Sequence, residues 1–239
     1  MHKAWNDLND SHKQLEIAQK SIEQAKENLR LNIDYYKAGI TKMSDLLEAQ
    51  LLYQQTRDKY TAGKPYFMFV GSLHPRKNLA RLFTSFDLFK KRNNNDIKLL
   101  IVGSKRWWTE PIKNAYEAMT HKDDVIFAGR LSAEDLQFVT ASALASVYVS
   151  YFEGFGIPIV EAFKCDTPVI TSNVTSMPEV ANDAALLVDP FNEESIADAM
   201  EKILDEEVRK DLIEKGRIRR QDFSWDKAAE IWWKCIEKL

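Results

Sequence analysis

The stretch Glu153-Gly154-Phe155-Gly156-Ile157-Pro158-Ile159-Val160-Glu161 sets two carboxylates and two glycines around a helix start, directly after the apolar run Ala145-Ser146-Val147-Tyr148-Val149-Ser150-Tyr151. Gly154 and Gly156 break the strand formed by that run, and the chain resumes as a helix through Ile159, Val160, Ala162 and Phe163. Pro158 suits the first helical turn, where its missing N–H is not needed. Glycines at such a junction let a ligand approach the backbone, and the unpaired amides and helix dipole attract phosphate or another electron-rich oxygen. Glu161 falls about one turn into the helix and Glu153 at its mouth. A carboxylate is also a bidentate acceptor for a vicinal diol. Carboxylates flanking an anion-attracting amide cluster therefore suit a ligand with both hydroxyls and phosphates, such as a nucleotide sugar.

A second constellation follows Gly71, where the loop Ser72 to Asn78 places Arg76 and Lys77 just ahead of a helix carrying Leu79, Leu82, Phe83 and Phe86. Two cations at a helix start can hold a diphosphate and stabilise the charge that grows on it as a glycosidic bond breaks. Without the Glu153 block, the same pair reads as solvated helix-start residues. The paired carboxylates also fit a glycoside hydrolase using an acid and a nucleophile, although one strand-helix junction fixes neither their separation nor an open cleft. His74, alone in its loop, reads as a surface residue. Trp107-Trp108 and Trp232-Trp233 read as helix-packing pairs away from the strand-edge loops. Asp123-Asp124 read as a solvated turn, and no metal is expected.

The elements that must position these groups alternate. Strands are predicted near Phe67 to Gly71, Lys98 to Val102, Val125 to Ala128, Ala145 to Ser150, Pro168 to Thr171 and Ala185 to Val188, with helical patterns between them. Such alternation implies right-handed crossovers and an α/β fold built on a doubly wound parallel sheet, with ligands at the carboxyl ends of the strands. The last helices, Glu193 to Leu204, Glu206 to Arg220 and Ser224 to Leu239, are charged amphipathic covers, and Ser224 suits an N-cap.

The amino-terminal part differs. Ala4, Leu8, Ser11, Leu15, Ala18, Ile22, Ala25, Leu29, Asn32 and Tyr36 recur at coiled-coil spacing. A helix from Lys3 to Lys37 would be about 50 Å long and needs a partner. Ala38-Gly39-Ile40-Thr41 stops it, Ser44-Asp45 opens a second helix to about Tyr60, and Met43, Leu46, Leu47, Tyr53 and Tyr60 can return along the first. The expectation is an antiparallel α-helical coiled-coil hairpin over residues 1–62, followed by the α/β domain over residues 63–239, with the boundary near Thr61-Ala62-Gly63-Lys64-Pro65.

Composition narrows the classes. A net charge of −3 gives no electrostatic case for nucleic acid or an anionic membrane surface, and 45% hydrophobic with 29% charged residues is ordinary for a globular chain. Cys165 and Cys235 alone support neither a disulfide framework nor a zinc site. Residues 1 to 30 lack an apolar signal core, and no window approaches a membrane span, so the chain as given is expected to be cytoplasmic or otherwise soluble.

Residues Lys64 to Leu239 resemble the carboxyl-terminal, donor-binding domain of family-four GT-B retaining glycosyltransferases, relatives of glycogen synthase and lipopolysaccharide mannosyltransferases. The resemblance rests on blocks in the family's order: Phe69 to Leu79, Leu99 to Gly103, Val125 to Gly129, Glu153 to Glu161, Thr167 to Ser172 and Met177 to Val180. It implies a Rossmann-like GT-B half binding a nucleotide-diphosphate sugar, with no further cofactor. By resemblance Lys77 and Arg76 carry the diphosphate role, and Glu153 with the amides of Gly154, Phe155 and Gly156 meets the donor sugar and phosphates. Glu161 binds the ribose hydroxyls, and the loop at Gly129-Arg130-Leu131 cradles the base; Gly71 ends the first strand. Many members have an arginine where this chain has Ser72, so one phosphate contact that the resemblance would imply does not carry over by residue type. Catalysis in the family needs a second Rossmann-like half for the acceptor, so slow or no transfer is expected from this chain alone.

Residues 1–62 resemble the periplasmic hairpin of the TolC family of outer-membrane efflux channels, through Glu27-Asn28-Leu29, Tyr35-Tyr36-Lys37-Ala38-Gly39, Asp45-Leu46-Leu47-Glu48-Ala49-Gln50, Tyr53, Arg57 and Tyr60. This resemblance makes Gly39, Ile40 and Thr41 a tip that meets a periplasmic adaptor protein, and gives the hairpin a periplasmic or outer-membrane origin. Together the two resemblances imply either an engineered chimera or a natural fusion. The competing functional class is then a non-enzymatic protein that presents the tip for docking, and periodicity alone fits a plain dimerisation arm.

Overall fold

A computed structural model describes residue 54 and residues 57–236. The predicted hairpin and its tip at Gly39, Ile40 and Thr41 lie outside the described residues, apart from the helical residues 57–61. The chain divides into two compact units. One comprises the described residues up to Lys64 together with Leu131–Ser142, and the other comprises Pro65–Arg130 and Ala143–Leu239.

The larger unit is a parallel sheet of β1 (Tyr66–Val70), β2 (Lys98–Val102), β3 (Val125–Gly129), β4 (Ala145–Tyr148), β5 (Val169–Ser172) and β6 (Leu186–Val188). The strand order is β3-β2-β1-β4-β5-β6, every neighbouring pair parallel. β1 and β4 therefore lie side by side at the centre. Parallel strands covered on both faces read as continuous apolar runs. Tyr66, Phe67, Met68 and Phe69 show the pattern, all of them buried.

Helices of this unit are α1 (Leu79–Arg92), α2 (Glu110–Glu117), α4 (Ile157–Lys164), α5 (Met177–Ala181), α6 (Glu193–Lys202), α7 (Glu206–Arg219) and α8 (Trp225–Ile236). The other unit holds α3 (Ala133–Ser142), where Asp135 takes an ion pair from Lys59 at 3.3 Å. Leu79, Leu82, Phe83, Phe86 and Phe89 bury one stripe of α1, which packs against α2 and α6. Asn192 and Asp205 cap α6 and α7 by accepting first-turn backbone N–H groups.

The core forms two clusters. Phe67, Phe69, Leu99, Ile101, Val147 and Val149 join the α1 and α6 stripes, whereas Tyr148 joins Ile159, Phe163, Met177 and Val180 around α4 and α5. Successive residues of a strand face opposite ways, so Val147 and Tyr148 belong to different layers.

Candidate donor-binding site

The carboxyl ends of β1, β2 and β3 are tied together by glycine backbone. Gly71 donates its N–H to the Val102 carbonyl at 3.0 Å, and Gly103 donates to the Gly129 carbonyl at 2.7 Å. Beyond Gly71 the chain passes Ser72 and enters a short 3₁₀ turn over Pro75–Lys77. His74 caps that turn, its Nδ1 accepting the Arg76 backbone N–H at 3.2 Å. Asn78 ends the turn in a left-handed conformation at φ 63° and starts α1. Its side-chain amide donates to the Val149 carbonyl at 3.0 Å and the Pro190 carbonyl at 2.7 Å. The Tyr151 N–H donates to the Arg76 carbonyl at 2.9 Å. The loops after β1 and β4 are thereby stitched into one surface.

Across that seam the basic pair meets the first carboxylate of the glutamate block. Lys77 Nζ lies 2.6 Å from Glu153 Oε1, and Arg76 donates to Glu153 Oε2 at 2.5 Å and to the Phe152 carbonyl at 3.2 Å. Lys77 is 6% exposed and Glu153 9%, so the pair is withdrawn from water. The reading of Lys77 as a solvated helix-start residue is thus overturned: the turn directs its side chain inward, where Glu153 compensates its charge. Arg76 stays exposed.

Burial lowers the Lys77 pKa, only partly offset by Glu153. For Glu153, burial acts to raise the pKa, but Lys77, Arg76 and Ser150 outweigh it and hold the carboxyl below its ordinary value. Tyr148 stands beside them, its hydroxyl 2.5 Å from Lys77 Nζ, and its own pKa is pushed up by burial and by the Glu153 charge.

The glycine loop leads into α4 as the strand-break reading expects. Gly156 adopts φ 101°, a left-handed conformation that penalises any side chain, and Pro158 lies in the first turn of α4. Ser176 holds the loop by donating to the carbonyls of Glu153 at 2.9 Å and Phe155 at 3.0 Å. Gly154 and Phe155 are exposed and Gly156 is buried. Glu161 faces solvent on α4, and none of the described residues pairs with its carboxylate. Gly71 is partly exposed at the end of β1, Gly129 is partly exposed with φ 72°, and Arg130 is exposed.

Three expectations need correction. Trp107 adjoins a strand-edge loop, because its ring meets His74 edge-on at 5.6 Å, and it is 51% exposed. Only Trp108 of that pair packs inward, against Phe83, Tyr116 and Phe127, while Trp232 and Trp233 are exposed on α8. Asp124 is no solvated turn residue, since Lys90 pairs with it at 2.8 Å and Lys98 also reaches it. Sequence reasoning also missed Tyr148, Asn78 and Ser176. Tyr148 is hidden within an apolar strand, and the others act through contacts distant in sequence.

This assembly of a parallel sheet, a basic turn after β1 and a glycine loop after β4 is where comparison with known proteins becomes informative. The sequence model described as "Glycosyl transferases group 1" matches residues 54–219. The chain belongs to that family. This group 1 chain is 33% identical over 166 residues to O-antigen chain mannosyltransferase B of Escherichia coli, a match covering 69% of the chain and 44% of that protein. The chain thus spans less than half the length of this curated relative.

Among solved structures, sucrose-phosphate synthase from Thermosynechococcus elongatus superimposes with a TM-score of 0.65 at 26% identity, covering 77% of the chain and 49% of that protein. Anabaena HepE, solved in complex with UDP-glucose, gives a TM-score of 0.69 at 17% identity over 83% of the chain and 54% of its own, a likeness of fold. None of the described helices is long and apolar enough to cross a membrane.

Proposed function

We propose that this group 1 domain binds the nucleotide-diphosphate sugar donor of a retaining glycosyl transfer. The observation that carries the reading is the Arg76-Lys77-Glu153 cluster, with contacts of 2.5 and 2.6 Å, at the carboxyl edge of adjacent strands β1 and β4. Ligands of open α/β sheets bind along that edge.

In this reading Lys77 and Arg76 meet the diphosphate. A buried ammonium in a water-poor site interacts more strongly with developing negative charge than it would in water, which favours departure of the nucleoside diphosphate. Glu153 keeps both cations in place and turns toward the donor sugar, alongside the backbone of Gly154, Phe155 and Gly156. Glu161, exposed one turn into α4, is free to accept both ribose hydroxyls. The backbone at Gly71, Gly129 and Arg130 lines the position of the pyrophosphate and base. Similarity to an O-antigen mannosyltransferase makes a mannosyl group the first sugar to try.

The hydrolase reading is less favoured. A general acid needs a raised pKa, whereas the Glu153 carboxyl is held low by Lys77 and Arg76.

Calorimetric titration of the purified chain with UDP, GDP and ADP tests the proposal, together with Lys77→Ala and Glu161→Ala. Saturable binding of one nucleotide, weakened in both variants, is the expected result. Binding unaffected by either substitution, or no binding of any nucleotide, overturns it.

A further inference from the structure

Tyr148 occupies a position where a parallel central strand ordinarily carries an aliphatic side chain. Its ring is buried among Ile159, Phe163 and Met177, and the Thr171 hydroxyl donates to its carbonyl at 2.8 Å. The phenol oxygen nevertheless emerges at the ion cluster, 2.5 Å from Lys77 Nζ, and the ammonium lies 4.5 Å from the centre of the ring.

An ammonium carries three N–H donors on a flexible stem, and its aim is set by the acceptors around it. Among the described residues these are, for Lys77, Tyr148 Oη and Glu153 Oε1. Glu153 supplies the opposite charge at 2.6 Å, and the Tyr148 hydroxyl accepts from the same ammonium at 2.5 Å. The Tyr148 hydroxyl adds a second, fixed direction to the one set by Glu153. With two directions of the ammonium occupied, the third N–H is left for a ligand.

We propose that Tyr148 is a positioning residue, whose buried hydroxyl aims the Lys77 ammonium at the diphosphate of the donor. The inference rests on the donor-site reading above. The aromatic ring excludes water from one side of the ammonium, and the phenol oxygen fixes its rotation, so the free N–H is presented in one geometry before ligand arrives. Pre-organisation of this kind improves recognition of the diphosphate and leaves contacts to base and ribose untouched.

The test compares UDP and GDP with UMP and GMP in the unaltered chain, in Lys77→Ala and in Tyr148→Phe, by calorimetry and thermal melting. Tyr148→Phe keeps the ring and removes only the hydroxyl. It is expected to weaken nucleoside diphosphate binding roughly tenfold, the effect of one charge-assisted hydrogen bond. Monophosphate binding should change far less, and the melting temperature should stay near that of the unaltered chain.

If Lys77→Ala weakens the diphosphate and Tyr148→Phe does not, the positioning role is overturned and the donor-site reading stands. Equal weakening of diphosphate and monophosphate by Tyr148→Phe also overturns it, because a packing defect acts on both. No diphosphate binding by the unaltered chain, or no effect of Lys77→Ala, overturns the donor-site reading and this inference with it. Should Tyr148→Phe fail to fold, Tyr148→Leu, which also lacks the hydroxyl, takes its place: weakening of the diphosphate alone supports the role, and no weakening, or equal weakening of diphosphate and monophosphate, overturns it.

Discussion

The Cβ that Gly103 lacks would lie 1.9 Å from the carbonyl oxygen of Gly71. Gly103 also has φ 150°, so its backbone favours glycine as well. The close approach brings the ends of β1 and β2 together and sets the start of the Ser72 to Asn78 loop. Gly103→Ala must push the Gly71 backbone away. A loss of about 2 to 4 kcal/mol in denaturant unfolding is expected, with weaker nucleotide binding because the Lys77 turn follows directly. Unchanged stability and affinity would refute the dependence of the site on this contact.

Removing one member of the ion cluster should cost more than removing its charge altogether. Lys77→Met leaves Glu153 buried with only Arg76, and a destabilisation of about 3 kcal/mol is expected. Combining it with Glu153→Gln should recover a large part of that loss, giving a coupling of about 1 to 3 kcal/mol in a double-mutant cycle. Strict additivity of the two substitutions would show that the 2.6 Å contact contributes nothing.

Asn78 joins three parts of the site. It holds a left-handed turn and donates to carbonyls beyond β4 and before α6. Asn78→Ala forfeits both bonds, leaves the carbonyls of Val149 and Pro190 without that donor, and puts a non-glycine Cβ in a left-handed turn without local support. The expected cost is about 3 kcal/mol. Asn78→Gly, which relieves the backbone penalty, should cost about 1 kcal/mol less. Equal losses would mean the backbone conformation contributes nothing.

Acid should destabilise the fold through Asp87. Its carboxylate accepts the His121 backbone N–H at 2.8 Å and the His121 ring N–H at 2.9 Å, with Lys91 2.8 Å from its other oxygen. Burial acts to raise the carboxyl pKa, but these donors outweigh it and hold it at about 2, below the ordinary 3.8. A depressed carboxyl stabilises the fold above its unfolded pKa and loses that contribution as pH falls through its folded value. The window therefore runs from 3.8 down to about 2. Asp87→Asn should cost about 2 kcal/mol at neutral pH, a gap that closes below that window. Urea titrations of both proteins across the range measure it, and a gap independent of pH would contradict the assignment.

The strands and the glycine-loop-helix junctions were legible because their signals are local. Tyr66 to Val70 and Ala145 to Tyr148 are short apolar runs ended by glycine or a polar turn, and Pro158 marks the start of α4 within a few residues. The parallel arrangement also follows from alternation of such runs with helical spacing. The glutamate block and the basic pair could likewise be picked out from residue type and spacing, as could the carboxyl edge on which both sit.

What the tertiary structure alone decided is which side chains meet. Lys77 and Tyr148 are 71 residues apart, and Arg76 and Glu153 are separated by 77. They touch because the strand order sets β1 against β4, and no local pattern encodes that adjacency. The same holds for Trp107 against His74 and for Asp124 between Lys90 and Lys98. A lysine after a strand glycine reads as solvated until the sheet brings a carboxylate and a phenol to its ammonium. Burying a charge is unfavourable without a partner. The sequence determines the residues and the turn that carries them, and the sheet order supplies the partners that make a buried Lys77 stable.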